Sequence, residues 1–527
     1  MKRFCFARIC GVFLLCVFFS SGALRAADKW LRVTSEHFEM FSAVSEKQSR
    51  QLLVELEQFR AVFLKMIKLR PAHEPRATIV VFKNDRAFRP YLPLYDGTPK
   101  ELAGYCLWSP GETYIGLSGT HLSDSLGPIF HEYVHALVAP RNPLMPLWIN
   151  EGMAQVFGTF KVKGDTVEFG RLDPGALAVF VLTPPLPIQE LLTVDHDSPH
   201  YNEAERAGVF YSQSWIAMHY FMCGSQERGK KFNLGELLSL LESPGVPLSD
   251  AMEKGTGLSP DELGQRLADY SHRGVYNVHT LQIPAEPIRK MLRTRPATGF
   301  EVEFALMNLK WRVHDAGDTM ARLLAMIEKY PGDPRPHEML AELYARDGQE
   351  RSAVEHWRHA ARLGSENAVV YVMLAQFGVG SVRLAPDHRI PEALCAELRG
   401  WLDRAIELSP DYMDAYEALL IVEAFSPEFR PAAVRKATAN ARYMPKISSR
   451  GRMLLASAVV LWRMKKFERS LEFIKALLEL PDEPVPPKMR RPGAHNPMEP
   501  LRTAARDLEA RVKVDLQLAP KPGAANG

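Results

Sequence analysis

The segment from Ile129 to Ala154 constrains the fold of this chain more than any other, because its residues need two helices that lie side by side. Its first half places His131 and His135 four residues apart within an apolar pattern of helical spacing. Positions i and i+4 share one face of a helix, so both imidazoles can reach a common point. A zinc ion is bound by two histidines of one helix in this way.

The third protein ligand of such a zinc site must come from outside that helix. Prolines 140, 143 and 146 end the first helical pattern, and an apolar helical pattern restarts at Leu147. A second helix would then bring Glu151 back to the two histidines. We predict that His131, His135 and Glu151 bind one Zn²⁺ ion. Glu132, next to the ion but not bound to it, is the predicted general base that takes a proton from a zinc-activated water.

HEYVH at 131–135, followed by WINEGMA at 148–154, resembles the gluzincin zinc metallopeptidases. In that family a glutamate of an Asn-Glu-x-x-Ala motif supplies the third ligand, and Glu151 stands at that position here. The chain is similar, more narrowly, to peptidase-MA-like secreted bacterial proteins with PLWxNEG after HEYxH. The resemblance implies an α+β, zincin-like catalytic domain that acts on a peptide or protein substrate. A metzincin is excluded, since Val138 and Arg141 stand where that class needs Gly and His.

A peptidase also needs a donor for the oxyanion that forms when water attacks the carbonyl carbon. Tyr211 is our candidate, because FYSQSW at 210–215 resembles the corresponding part of peptidase-MA-like proteins. Tyr201 is the second candidate, and a packed tyrosine without a catalytic role is the alternative. His219, two turns beyond Tyr211, is predicted to be structural.

The N-terminus reads as a secretory signal peptide at 1–27: MKRFCFAR is basic and Ile9–Leu24 carries no charge. An uncleaved anchor is the alternative, although the apolar centre is shorter than the roughly 18 residues of a spanning helix. We therefore expect an exported protein, periplasmic or secreted, without a membrane span after cleavage. Cleavage would leave Cys106, Cys223 and Cys395, which are too widely spaced for a disulfide framework.

Between 28 and 282, the predicted catalytic domain, β-branched runs alternate with amphipathic helices, which is typical of a layered fold. The predicted elements are strands within 30–41, 77–82, 104–108 and 113–117, a long helix at 45–67, and a hairpin at 161–169. Ser123 or Asp124 would cap the catalytic helix. By resemblance to gluzincins, the strand TYIGL at 113–117 is placed at the sheet edge, where an extended substrate can pair with it. An ordinary inner strand is the alternative.

The sequence period changes after a linker that we place at 283–299. Leu306 and Leu340 are 34 residues apart, as are Leu323 and Trp357, and the spacing resembles that of tetratricopeptide repeats. We predict an all-α, tetratricopeptide-like helical solenoid at 300–481. A Pro/Arg-rich segment, a short helix and a disordered tail follow at 482–527.

The net charge of +3 and the scattered basic residues argue against a nucleic-acid partner. The leading hypothesis is therefore an exported zinc peptidase. The alternative, from another class, is a catalytically weak or inactive metal-bound scaffold. Its repeat domain would bind a cell-envelope partner protein through a concave surface.

Overall fold

The computed structural model describes residues 29–68, 76–95, 97–109, 112–120, 122, 126–139, 145–195, 198–202, 204–224, 233–241, 247–314, 317–380, 385, 387–410, 412–440, 447–482 and 496–518. The predicted signal peptide, the proposed caps Ser123 and Asp124, most of the Pro/Arg-rich segment and the predicted disordered tail lie outside these residues. The fold is mixed α/β, with a central mixed sheet and an all-helical C-terminal region, and 66% of the described residues are helical.

The strands are β1 (Leu31–Thr34), β2 (Phe38–Ser42), β3 (Ala77–Phe82), β4 (Leu94–Tyr95), β5 (Thr98–Pro99), β6 (Gly104–Ser109), β7 (Glu112–Ser118), β8 (Lys161–Lys163), β9 (Thr166–Phe169), β10 (His279–Gln282) and β11 (Arg293–Pro296). The helices that accompany them are α1 (Glu46–Ile67), α2 (Asp85–Phe88), α3 (Leu126–Val138), α4 (Leu147–Gly158), α5 (Pro174–Leu182), α6 (Ile188–Thr193), α7 (Pro199–Asn202), α8 (Ala204–His219), α9 (Leu234–Leu241), α10 (Leu248–Thr256), α11 (Pro260–Ser271) and α12 (Ala285–Met291).

The C-terminal region contains α13 (Gly299–Val313), α14 (Thr319–Lys329), α15 (Arg335–Arg346), α16 (Glu350–Arg362), α17 (Ala368–Gly380), α18 (Glu392–Leu408), α19 (Met413–Phe425), α20 (Pro431–Asn440), α21 (Ile447–Arg463), α22 (Phe467–Leu478) and α23 (Met498–Leu518). Most helices that are adjacent in sequence pack against each other along this region. The small residues Ala353 and Ala360 are buried between helices of this region and allow them to approach closely. Within the part of the chain that the structure describes, no helix is long and apolar enough to cross a bilayer.

The main sheet has the strand order β11-β1-β2-β3-β7-β6. β3 is central and parallel to both of its neighbours, whereas the pair β6/β7 is antiparallel. The predicted strands at 77–82, 104–108 and 113–117, the long helix α1 and the hairpin β8/β9 are confirmed. The strand predicted within 30–41 is the antiparallel pair β1/β2. The placement of TYIGL at the sheet edge is wrong. Because β3 occupies one side of β7, its hairpin partner β6 takes the other side and becomes the edge.

The two faces of the sheet support different cores, because successive side chains of a strand point in opposite directions. Ile79 and Val81 of β3 join the core formed with α1, α3 and α4. Val80 and Phe82 point to the opposite face, where Leu309 of α13 packs over them. The first helix of the C-terminal region is therefore part of the packing of the sheet.

The segment 283–299, which we predicted to be a linker, contains α12 and β11. β11 pairs antiparallel with β1, so it is an edge strand of the main sheet. Arg50 of α1 reinforces this placement by donating hydrogen bonds to the carbonyl of Arg289 at 2.8 Å and to the hydroxyl of Thr294 at 3.0 Å. The linker prediction failed because RTRP at 293–296 has no apolar alternation that would mark a strand.

Candidate metal centre

The candidate site lies where α3 and α4 pack against each other. Stacking of Phe130 on Phe59 of α1, with ring centroids 4.3 Å apart, fixes the apolar side of α3 in the core. His131 and His135, one turn apart, share the neighbouring face of α3. Pro146 is the extended N-cap residue of α4, so the new helix begins directly after it and carries Glu151 in its second turn.

Gly152 allows α4 to approach α8 very closely. A Cβ atom at this position would lie 2.3 Å from the carbonyl oxygen of Ser214 and 2.4 Å from Cγ of Met218. No side chain can fit there without moving the backbone of α8. The glycine after Glu151 therefore brings α8, which carries Tyr211, alongside the ligand-bearing turn of α4.

The three predicted ligand residues converge. Nε2 of His131 lies 3.6 Å from Oε2 of Glu151, and Nε2 of His135 lies 3.5 Å from the same oxygen. The ring centroids of the two histidines are 5.1 Å apart, and their planes are nearly perpendicular at 82°. One ligand atom from each residue lies within 4.8 Å of the others.

The chemistry of these groups fits a zinc ion. Ligands of a tetrahedral Zn²⁺ with bonds of about 2.0–2.1 Å lie about 3.3 Å from one another, close to the observed separations. Oε2 of Glu151 is buried and has no hydrogen-bond partner among the described residues. A buried acceptor without a donor costs about 1–3 kcal/mol, and a bound cation would remove that cost. Two imidazole nitrogens and one carboxylate oxygen are a common donor set for zinc.

The electrostatics of the site couple its three residues. Burial acts to raise the pKa of Glu151, but the interactions of its carboxylate with the His131 and His135 imidazoles, 3.6 and 3.5 Å away, outweigh burial and lower this pKa to about 2. Burial acts to lower the pKa of His135, and interactions with Glu151, Asn150 and Glu132 raise it above its usual value. The carboxylate is thus charged at neutral pH.

Two neighbours support the ligand residues from outside. Asn150, the residue before Glu151 on α4, raises the pKa of His135. Oδ1 of Asn150 and Nδ1 of His135 are both buried. Neither atom has a hydrogen bond of normal geometry among the described residues. Tyr201 places its hydroxyl 3.5 Å from Oε1 of Glu151, which is a weak contact. Groups of this kind orient metal ligands, and the sequence prediction did not include either role.

Both candidate tyrosines lie at the site. The rings of Tyr201 and Tyr211 are 6.1 Å apart. Burial raises the pKa of each phenol, and the negative charge of Glu151 raises it further. Glu132 is half-buried, and its charge acts on His135 and on both tyrosines. The predicted base therefore lies close to the predicted ligands without being one of the three converging residues.

His219 has the structural surroundings that we predicted for it. It is fully buried, its Nδ1 lies 2.8 Å from the hydroxyl of Tyr270, and its Nε2 lies 2.8 Å from the carbonyl oxygen of Gly170. Both ring nitrogens are occupied, so this histidine holds α8 against neighbouring segments. Cys106, Cys223 and Cys395 are buried, and none of them forms a disulfide bond within the described residues.

The chain matches no known family profile, no curated protein sequence and no solved structure. The arrangement of side chains between α3, α4 and α8 is therefore the basis for a functional proposal.

Proposed function

We propose that this protein is an exported, zinc-dependent peptidase of the gluzincin type, with a zincin-like catalytic domain. The observation that carries the proposal is the convergence of two imidazole nitrogens on one buried carboxylate oxygen that lacks another partner. His131, His135 and Glu151 would hold the ion. When bound, zinc would polarise the substrate carbonyl and make a water molecule more acidic.

Glu132 would accept the proton of the attacking water and transfer it to the leaving amine. Its side chain is half-buried and its charge acts on His135 and Tyr211, which supports this role. Tyr211 would donate a hydrogen bond to the oxyanion of the tetrahedral intermediate. The raised pKa of this phenol keeps its proton in place at neutral pH. Tyr201, in contact with Glu151, would hold that ligand in position.

An extended substrate would bind along β6. This strand packs against α3, and β7 is its one paired neighbour among the described strands. Its outer side therefore offers unpaired backbone groups, with which a peptide can form a further strand without sequence-specific side-chain contacts. This assignment replaces the placement on β7 that the resemblance to gluzincins had implied.

The helical region would serve as a tetratricopeptide-like solenoid that recruits a protein partner. The successive packing of α15, α16 and α17 supports this, together with the buried small residues between the helices. The basic and apolar N-terminal segment supports export to the periplasm or medium.

The test combines zinc stoichiometry with cleavage of a proteome-derived peptide library. We expect one zinc ion per chain and detectable cleavage. Glu132→Gln should retain the zinc and lower the cleavage rate by about 10²–10⁴-fold, because the base is removed while all ligands remain. Glu190→Gln, an exposed acid on α6, is the matched control and should leave both unchanged.

A folded protein that binds no zinc would contradict the proposal. Zinc binding without cleavage of any library peptide would instead favour the metal-bound scaffold. A binding assay of the protein with cell-envelope proteins would then test that alternative.

A further inference from the structure

A second histidine cluster lies in the helical region, far from α3 and α4 in sequence. His337 of α15 faces His356 and His359 of α16. The ring centroid of His337 is 5.1 Å from that of His356 and 5.1 Å from that of His359. The two rings of α16 are 6.4 Å apart. Positions i and i+3 place both of them on the side of α16 that faces α15.

Two of these rings already direct nitrogen atoms at each other. Nδ1 of His337 lies 2.9 Å from Nδ1 of His356. In the absence of an ion, one of them donates a hydrogen bond to the other. The same separation is that of two adjacent ligands at 90° on an ion with bonds of about 2.0–2.1 Å. We propose that His337 and His356 bind a transition-metal dication, and that His359 turns to become the third ligand.

The surroundings restrict the orientation of His356 and leave the cluster open to solvent on one side. Tyr344 stacks on His356 with ring centroids 5.4 Å apart and planes 15° apart, which restricts the orientation of that imidazole. His337 is 9% exposed, whereas His356 and His359 are half-buried and can be reached from solvent. His359 is stacked parallel to His337 at 16°, so its ring has to rotate before it can share an ion.

The donor type selects the class of ion. Imidazole nitrogens suit Ni²⁺, Cu²⁺ and Zn²⁺, whereas Mg²⁺ and Ca²⁺ prefer oxygen ligands. A histidine binds such an ion through its neutral imidazole. An ion held by both helices would link α15 to α16 and stabilise the folded helix pair by mass action.

The test uses the full chain with Ni²⁺ alone as the probe. His131→Gln/His135→Gln removes the first candidate centre, so that the second can be measured by equilibrium dialysis. We expect this variant to bind one Ni²⁺ ion per chain. Adding His356→Gln should weaken the affinity at least about tenfold. Adding His388→Gln, which alters another half-buried histidine of the helical region, should leave it unchanged.

A second measurement does not depend on the folding of the His356 variant. The His131→Gln/His135→Gln chain is loaded with Cu²⁺, and its electron paramagnetic resonance spectrum should show coupling to imidazole nitrogen. An oxygen-only spectrum would overturn the proposal, as would a Ni²⁺ affinity unchanged by His356→Gln. Failure of this site has no bearing on zinc binding by the unaltered His131 and His135, so the two proposals are tested independently.

Discussion

Glu151 of the mixed α/β region and Glu423 of the helical region are both buried glutamates, but their oxygens are satisfied very differently. Glu423 is fully buried and accepts four hydrogen bonds, two from the guanidinium of Arg399 and two from the backbone and side chain of Arg430, at 2.7–3.1 Å. Glu151 is 4% exposed and leaves Oε2 without a hydrogen bond within the described structure.

The difference separates a structural carboxylate from a candidate ligand. A buried acid that is fully hydrogen-bonded to arginine has no lone pair left for an ion, and its role is to join helices α18, α19 and α20. A buried acid with one oxygen that lacks a hydrogen bond, beside two imidazole nitrogens, is unfavourable unless a cation binds to that oxygen. Burial alone therefore does not identify a site, whereas the remaining hydrogen-bonding capacity does.

The largest effect on stability should come from Glu423→Ala. Removing one partner from a buried ion pair leaves the other charge uncompensated, so the free energy of unfolding should fall by about 3–5 kcal/mol. Denaturant unfolding followed by circular dichroism measures this loss. The control is Glu392→Ala, because Glu392 is 64% exposed and lies 3.6 Å from the same Arg399. Equal losses for both variants would show that burial of Glu423 has no special effect.

The second prediction concerns the tyrosines beside Glu151 and rests on the proposed function. Tyr211→Phe should lower kcat by about 10²–10³-fold with zinc retained, because it removes an oxyanion donor. Tyr201→Phe should instead weaken zinc binding by up to about 10–100-fold, because it releases Glu151. Steady-state kinetics and zinc competition measure the two effects.

Tyr276→Phe is the control for both variants, since that hydroxyl donates to the carbonyl of Ser271 away from the centre. If Tyr211→Phe lost zinc but kept the kcat of the loaded fraction, the roles assigned to the two tyrosines would be reversed.

Local sequence patterns predicted the parts of the fold that depend on neighbouring residues. Four local patterns each predicted an element that is present. They are the helical spacing at 45–67 (α1) and at 129–138 (α3), the β-branched run at 77–82 (β3), and the prolines before Leu147, where α4 begins. The convergence of His131, His135 and Glu151 followed because a short connection leaves two successive helices few ways to pack. Zinc binding itself stays a prediction.

The rest depends on contacts between distant residues. Nothing in TYIGL distinguishes an inner strand from an edge strand, because the position of β7 depends on pairing with β3. His337 and His356 are 19 residues apart, on separate helices, and their proximity depends on the packing of α15 on α16. For the same reason the sequence could not show that Glu423 is satisfied and Glu151 is not. The Asn150-Glu151 pair identified Glu151 as a candidate ligand, but it did not show that Asn150 acts on His135.

The third prediction tests the packing that places Glu151. Gly152→Ala should destabilise the protein by about 1–3 kcal/mol through overpacking, because the new methyl group meets the backbone oxygen of Ser214. It should also weaken zinc binding, since α4 must move away from α8.

Gly208→Ala is the matched control on α8, where a Cβ atom would meet no heavy atom within 4 Å. There the substitution should stabilise the helix by about 0.5–1 kcal/mol. Thermal unfolding and zinc titration of both variants test this explanation. Loss of stability in both would show that α4 and α8 tolerate no added methyl group, whether or not the helices approach closely at that position.

The smallest effect is expected from Glu342, an acid at the junction of the mixed α/β region and the helical region. Its carboxylate has an arginine beside it, unlike Oε2 of Glu151, but it is less buried than that of Glu423. Arg312 of α13 pairs with Glu112 of β7 and also lies 3.7 Å from Glu342. Burial and the charge of Glu112 raise the pKa of Glu342 to about 7, although Arg312 and Arg346 act to lower it. Because this pKa lies above the value of 4.5 for an ordinary glutamate, the folded state holds the proton more tightly than the unfolded chain.

The contribution of Glu342 to stability is therefore complete below pH 4.5 and is lost as the pH rises through about 7. Since 46% of the side chain is exposed, solvent screening should limit this loss to about 1 kcal/mol or less. Glu342→Gln cannot titrate, so the difference in unfolding free energy between wild type and variant should change in the variant's favour between pH 5 and pH 7.5. A difference that is constant across this range would mean that Arg312 neutralises Glu342 as completely as two arginines neutralise Glu423, and the junction would then belong with the fully satisfied carboxylates.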